Sequence, residues 1–183
     1  MKQYHTFWRR TGALFIDGLV FSPLTAAPIV MMTVGHGIGF ATYLALSMLT
    51  TVIMASYFII MPALRGQTLG KMATGVRIVK IDGGAITAKE AFLRYLPGLV
   101  IGVLISIPTF IWLSGRPTID MASMSALPQW INWINGIWFL AELITVLCNP
   151  RRRAIHDFVA GTEVVVITAL PSVDDTPPAL TSA

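Results

Sequence analysis

Two residue classes are scarce in this chain, and each scarcity removes a class of protein. Charged residues make up only 12% of the 183 residues, about half the share a soluble domain uses to cover its surface, so lipid must cover much of this one. Cysteine occurs once, at Cys148, which excludes a disulfide framework and a zinc cluster. At the end of an apolar run it reads as a small apolar residue. A one-signed basic patch with interleaved aromatics is also missing. The net charge of +4 comes from basic residues at the ends of apolar runs, so no nucleic-acid partner is expected. The apolar runs hold no zinc motif and no nucleophile–base pair, and neither an enzyme nor a cofactor is expected. Gly66-Gln67-Thr68-Leu69-Gly70-Lys71 falls short of a phosphate loop: it lacks one spacer residue, a Ser/Thr after Lys71 and a preceding strand.

Apolar length, by contrast, is abundant: hydrophobic residues make up 55% of the chain and the mean hydropathy is +0.71. Four runs reach the roughly 20 residues that cross a bilayer, at about residues 11–34, 40–61, 91–113 and 130–148. The first is expected to be a retained span rather than a cleaved signal, because Asp17 interrupts it and Pro28 follows the small residues Thr25-Ala26-Ala27. Pro23 and Pro28 predict a kink in it near residues 19–24. The second run is closed by Pro62 and offers a small-residue face at Ala41 and Ala45. The third carries Gly98 and Gly102 at GxxxG spacing, which reads as a helix-packing face. Trp130, Trp133 and Trp138 crowd the start of the fourth as an interfacial anchor. His36, in the glycine-rich turn 35–39, reads as a solvated loop residue, and residues 114–129 read as a polar loop.

The intervening segments are short and charged. Thr68 can cap a helical turn that ends by Gly75. Residues 76–81 alternate apolar and basic side chains ahead of Asp82-Gly83-Gly84, which predicts a β-hairpin. Thr87 and Glu90 have capping-box spacing and open the third helix. Residues 154–160 read as a short interfacial helix, and 161–167 as a strand able to pair with 76–81. The Pro-, Ser- and Thr-containing end, 169–183, is expected to be disordered, leaving one unit over 1–168. The fold expected is an all-α integral membrane protein, with four transmembrane helices and a small β-hairpin/strand platform on the cytoplasmic side. Of the 13 Lys and Arg residues, all but Arg116 fall on the side of the termini and the 65–94 loop, so the positive-inside rule puts both termini in the cytoplasm.

Two acids lie inside the spans. Asp17 is about 10 Å into the first, at 1.5 Å per residue, and Glu142 is at a similar depth in the fourth. An unpaired carboxylate there costs several kcal/mol. If the two helices face one another, repulsion and desolvation leave a shared proton or a bound cation between the acids. Carbonyls freed near Pro23, with Asn135, would then complete an oxygen shell for a hard cation. The plainer reading is that Asp17 is hydrogen-bonded to a neighbouring helix or protonated, and that Glu142 points elsewhere. Arg10 shares a helix face with Asp17 but sits too far from it for a close pair. It is expected at the interface with Asp157 as its partner, with His156 as either a tether or a proton relay. Lys71 and Arg77 are candidates for contact with anionic lipid headgroups.

Three stretches, FWRRTGALFID at 7–17, GQTLGKMATGVRIVKIDGGAIT at 66–87 and RRRAIHDFVAGTEVV at 151–165, resemble the RDD family of small multi-pass membrane proteins. The family is named for an arginine and two aspartates, which fall here on Arg10, Asp17 and Asp157. The resemblance implies a multi-pass protein of the bacterial cytoplasmic (inner) membrane. It also implies transport, since some members look like cation/proton antiporters. On that reading, monovalent cations and protons pass through Asp17 and Glu142, and so small a chain works as a homo-oligomer. The alternative is a non-catalytic accessory or assembly protein that binds a partner or anionic lipid through its platform.

Overall fold

The structure, a computed structural model, describes residues 6–35 and 37–167. His36 and the tail 169–183 lie outside the described residues. Four helices are long and apolar enough to cross a membrane: α1 (Phe7–Val34), α2 (Phe40–Arg65), α4 (Ala88–Ser114) and α6 (Gln129–Cys148). Short elements join them: α3 (Leu69–Thr74), β1 (Val76–Lys80), α5 (Met121–Ser125), α7 (Ile155–Ala160) and β2 (Thr162–Val166).

The long helices expose apolar side chains because their solvent is lipid: Leu14, Phe15, Ile111 and Ile137 all stand out from the bundle. What they bury is selective. On α1 the buried residues are Ala13, Asp17, Phe21 and Met32, a stripe at helical spacing that turns inward.

Helix α1 runs unbroken through Pro23 and Pro28. Helix α2 continues past Pro62, where it was expected to stop, as far as Arg65. A proline loses its own N–H but keeps its carbonyl, and the Pro62 carbonyl accepts from Gly66 N at 2.7 Å. Gly66, left-handed at φ 68°, ends the helix instead. Both small-residue faces are open: Ala41 and Ala45 are exposed, and a Cβ added to Gly98 or Gly102 would meet nothing within 4 Å. Neither face packs a helix among the described residues.

The expected hairpin after β1 is reduced to one bridge, Val79 to Ala85. The chain has no length left for a second strand, since Ile86 turns into the core beside Val76, Ile78, Ala91 and Val164. Thr87 then opens α4 with a complete capping box. The partner of β1 is β2, antiparallel, in register from Val76↔Val166 to Lys80↔Thr162.

The opposite end carries a second small core of Met32, Ile38, Leu113 and Ile119. Ile38 and Ile119 exchange both backbone hydrogen bonds, at 2.9 and 2.7 Å, and clasp the α1–α2 turn to the α4–α6 loop. That loop holds α5, which the polar reading of 114–129 omitted. The Asp120 carboxylate caps α5, accepting from Ser123 N at 2.7 Å.

The β register is testable because Cys148 is the only native thiol. Arg77 faces Val165 across the strands, and a slip of one residue would send the two side chains to opposite faces. In a Cys148→Ser background, the pair Arg77→Cys and Val165→Cys should form a disulfide on mild oxidation, read by gel mobility. Its absence would rule out this register.

Candidate functional site

The Arg9-to-Asp17 stretch of α1 and the Gly66-to-Gly75 stretch fold against each other. Helix α3 lies antiparallel along α1, and each end meets a charge of the sign its dipole favours. At the N-terminal end, Asp17 Oδ1 accepts from Gly70 N at 2.8 Å and from the Tyr57 hydroxyl at 2.7 Å, and its Oδ2 accepts from the Thr68 hydroxyl at 2.7 Å. The Tyr57 oxygen in turn accepts from Leu69 N at 2.8 Å, and Thr68 Oγ1 accepts from Lys71 N at 3.3 Å. The first three N–H groups of α3, which have no partner within a helix, are thus all satisfied. At the C-terminal end, Arg9 Nη1 donates to the Thr74 carbonyl at 2.9 Å.

Contact this close requires glycine at position 70. A Cβ there would stand 2.1 Å from the Ala13 carbonyl oxygen and 2.9 Å from Asp17 Cγ, distances that no side chain could occupy.

A second constellation closes the other side of the platform. The Asp157 side chain is wholly buried and bridges two arginines: Arg10 Nη1 at 2.7 Å from Oδ2, and Arg94 Nη1 bonded to Oδ1. Oδ2 also accepts from Ala154 N at 3.0 Å, which fastens the first turn of α7. Arg94 donates to the Thr162 hydroxyl at 2.6 Å and so ties β2 to α4. Burial alone would raise the Asp157 pKa, but Arg94, then His156 and Arg10, overcome it and hold the carboxyl well below the usual carboxylate range. With the folded-state pKa depressed, the stability this group contributes is complete above about pH 4, and it is lost only as the pH falls toward the folded value.

Glu142 sits apart from Asp157 with partners of its own. Its Oε2 accepts from Ile155 N at 3.1 Å, and its Oε1 lies 3.1 Å from His156 Nδ1. The other ring nitrogen of His156 is 3.7 Å from Asp157 Oδ1, so the imidazole stands between the two acids.

Between these fastenings lies a cavity of about 280 Å³. Arg10 and Asp17 from α1, Lys71 from α3, Arg94 from α4, Glu142 from α6 and His156 from α7 all line it, and Phe58, Phe139 and Leu143 supply apolar wall. Asp17 and Glu142 therefore share one cavity, but each is bonded to its own donors and no hydrogen bond joins them. Asn135 is exposed and makes no hydrogen bond to either acid. Lys71 lines the cavity. Burial, followed by the charge of Arg94, pushes its pKa down to about 8 against the opposing pull of Asp17. Arg77 lies on the outer face, with Nε and Nη2 each 3.3 Å from the Arg65 carbonyl. Among the described residues, no group of three or more His, Cys, Asp or Glu side chains could hold a metal ion.

The clasped stretches all lie within the match to one family. The model of the RDD family matches residues 4–161. The chain belongs to the RDD family. It is a multi-pass membrane protein of that family, and its relatives share nearly its whole length. YckC, an uncharacterized protein of Bacillus subtilis (strain 168), is 27% identical over 164 residues, covering 88% of this chain and 84% of YckC. YteJ of the same organism, an uncharacterized membrane protein, is 26% identical over 167 residues, covering 88% of this chain and 80% of YteJ. No solved structure matches.

In this RDD chain the sequence reading missed Arg94, Tyr57, Thr162 and the role of Gly70. Arg94 carried a signal: it stands about one turn inside an apolar run, and a cation so placed needs an anion. Tyr57 carried none, since a lone tyrosine in a span reads as packing.

Two substitutions test the clasps. Asp157→Asn leaves two buried guanidiniums short of their anion and should destabilise the fold by about 3–5 kcal/mol, read as thermal unfolding in detergent. Gly70→Ala and Asp17→Ala should each destabilise strongly, yet together by less than their sum, with a coupling of about 1–3 kcal/mol. Gly102→Ala, made into open space, should stabilise slightly. Additive losses would mean that Asp17 does not hold α3.

Proposed function

We propose that this RDD protein is a non-catalytic accessory protein of the bacterial cytoplasmic membrane, with both termini and the platform in the cytoplasm, that binds an anionic group in the cavity beneath the platform. The observation that carries this reading is the sign of the unused hydrogen-bonding capacity. Asp17 already accepts three hydrogen bonds, each oxygen of Glu142 already has a partner, and Asp157 is sealed between two arginines. The free groups are donors. Among the described residues, Lys71 Nζ makes no hydrogen bond or ion pair, Arg94 uses only Nη1, and Arg10 Nε and Nη2 are buried without an acceptor. A cation entering here would have to displace existing bonds, whereas an anion would complete unmade ones.

Cation/proton exchange is the second reading, favoured by one observation: Asp17 and Glu142 line the same cavity, and His156 stands between Glu142 and Asp157. A vesicle assay separates the two. With Na⁺ or K⁺ added to reconstituted protein, no proton flux is expected. A flux present in wild type and abolished in folded Asp17→Asn and Glu142→Gln would replace the accessory reading with exchange.

Orientation has its own test. In a Cys148→Ser background, an impermeant thiol reagent should label Arg116→Cys in intact cells but reach Lys89→Cys only after permeabilisation. The reverse pattern would invert the topology.

A further inference from the structure

We infer that the cavity between α1 and α6 takes the phosphate headgroup of an anionic glycerophospholipid, which enters sideways from the bilayer and leaves its acyl chains against the α1 and α6 surfaces. The inference deepens the accessory reading above and rests on it.

The route of entry comes from the walls. Leu14 on α1 and Phe139 on α6 both line the cavity, and they are 61% and 58% exposed on membrane-spanning helices. Their exposed faces meet acyl chains, so the rim of the cavity lies on the lipid-facing side of the molecule. A lipid already in the bilayer has only to bring its head inward along the gap, while its chains stay in hydrocarbon.

The chemistry of the head comes from the floor. Among the described residues, Lys71 Nζ and the Nε and Nη2 of Arg94 have no acceptor, and Arg10 adds a guanidinium whose Nε and Nη2 are buried without one. A guanidinium beside an ammonium matches the oxygens of a phosphodiester. Arg94 and Arg10 both act against the positive charge of the Lys71 ammonium, Arg94 the more strongly, so the three cations crowd one site. The two acids that share the cavity already have donors: Asp17 accepts from Gly70 N and the Tyr57 and Thr68 hydroxyls, and Glu142 accepts from Ile155 N with His156 Nδ1 at its other oxygen. The cavity of about 280 Å³ holds about nine waters at roughly 30 Å³ each, room enough for a phosphate group and part of its glycerol.

Native mass spectrometry of the full chain with added phosphatidylglycerol or phosphatidylcholine tests this. The wild type should hold one phosphatidylglycerol about tenfold or more tightly than phosphatidylcholine. Lys71→Gln should abolish that preference without unfolding the chain, because Lys71 Nζ makes no hydrogen bond among the described residues. Leu14→Trp, at an exposed position on the rim, should weaken binding by obstructing entry. Arg77→Gln, on the outer face, should leave it unchanged.

Equal retention of the two lipids would overturn the inference. So would loss of preference in Arg77→Gln but not in Lys71→Gln, which would place binding on the outer basic surface. Inorganic phosphate competing as well as the lipid would keep the anion-binding reading and remove the lipid. A cation-driven proton flux would remove the reading itself, whichever lipid is retained.

Discussion

The interaction on which the rest of this molecule depends is the seat of helix α3 on α1, made by Asp17, Gly70 and the Ala13 carbonyl. A carboxylate within an apolar span needs something that replaces water. Here the replacement is the unpaired end of a short helix, reinforced by two hydroxyls. The arrangement is reciprocal. A helix of six residues is too short to be stable alone, and Asp17 at one end and Arg9 at the other supply what its own length does not. Because α3 leads directly into β1, its placement also fixes where β1 begins and which face of the two-stranded sheet turns to the core.

Asp157 performs the matching task for the end of the chain. It joins α1, α4, α7 and, through Arg94 and Thr162, β2. One buried anion serves two guanidiniums, so the junction carries an excess of positive charge that hydrophobic packing would not have created. Buried ionic groups of this kind contribute little net stability, and what they supply is a unique arrangement. The two fastenings lie on either side of the cavity, which accounts for its combination of charged floor and apolar wall.

Much of this was legible in the sequence, and the unread remainder has physical causes. Hydropathy alone located the four spans, because lipid enforces long apolar runs. The capping signals at Thr68 and Thr87 and the glycine at 75 located the short elements, since those positions have backbone requirements that few residues meet. The antiparallel partner of β1 followed from there being one other strand-like segment on the same side. The hairpin was over-read because Asp82-Gly83-Gly84 does turn the chain, while Ile86 is taken by the core. The expected meeting of Asp17 with Glu142 rested on equal depth: both acids do line one cavity, and what depth alone does not give is that each also accepts from a backbone amide of the short helix beside it. Arg94 was counted among the loop charges even though the capping box at Thr87 already put it inside α4, because the count of basic residues by side does not ask which way a side chain turns.

The separation in sequence between the fastened groups has a consequence for how the protein is made. Asp17 leaves the ribosome 51 and 53 residues ahead of Thr68 and Gly70, and Arg10 leaves 147 residues ahead of Asp157. At about 5–20 residues per second, the first wait lasts roughly 3–10 seconds and the second about 7–30. During the first, a span bearing an unsatisfied carboxylate must lodge in or beside the insertion machinery. During the second, Arg10 and Arg94 stand in a nearly complete bundle with no anion between them. The last turn to be synthesised in the described bundle, α7, is therefore the one that neutralises its interior. A nascent chain interrupted before that turn would hold two guanidiniums without the anion that joins them.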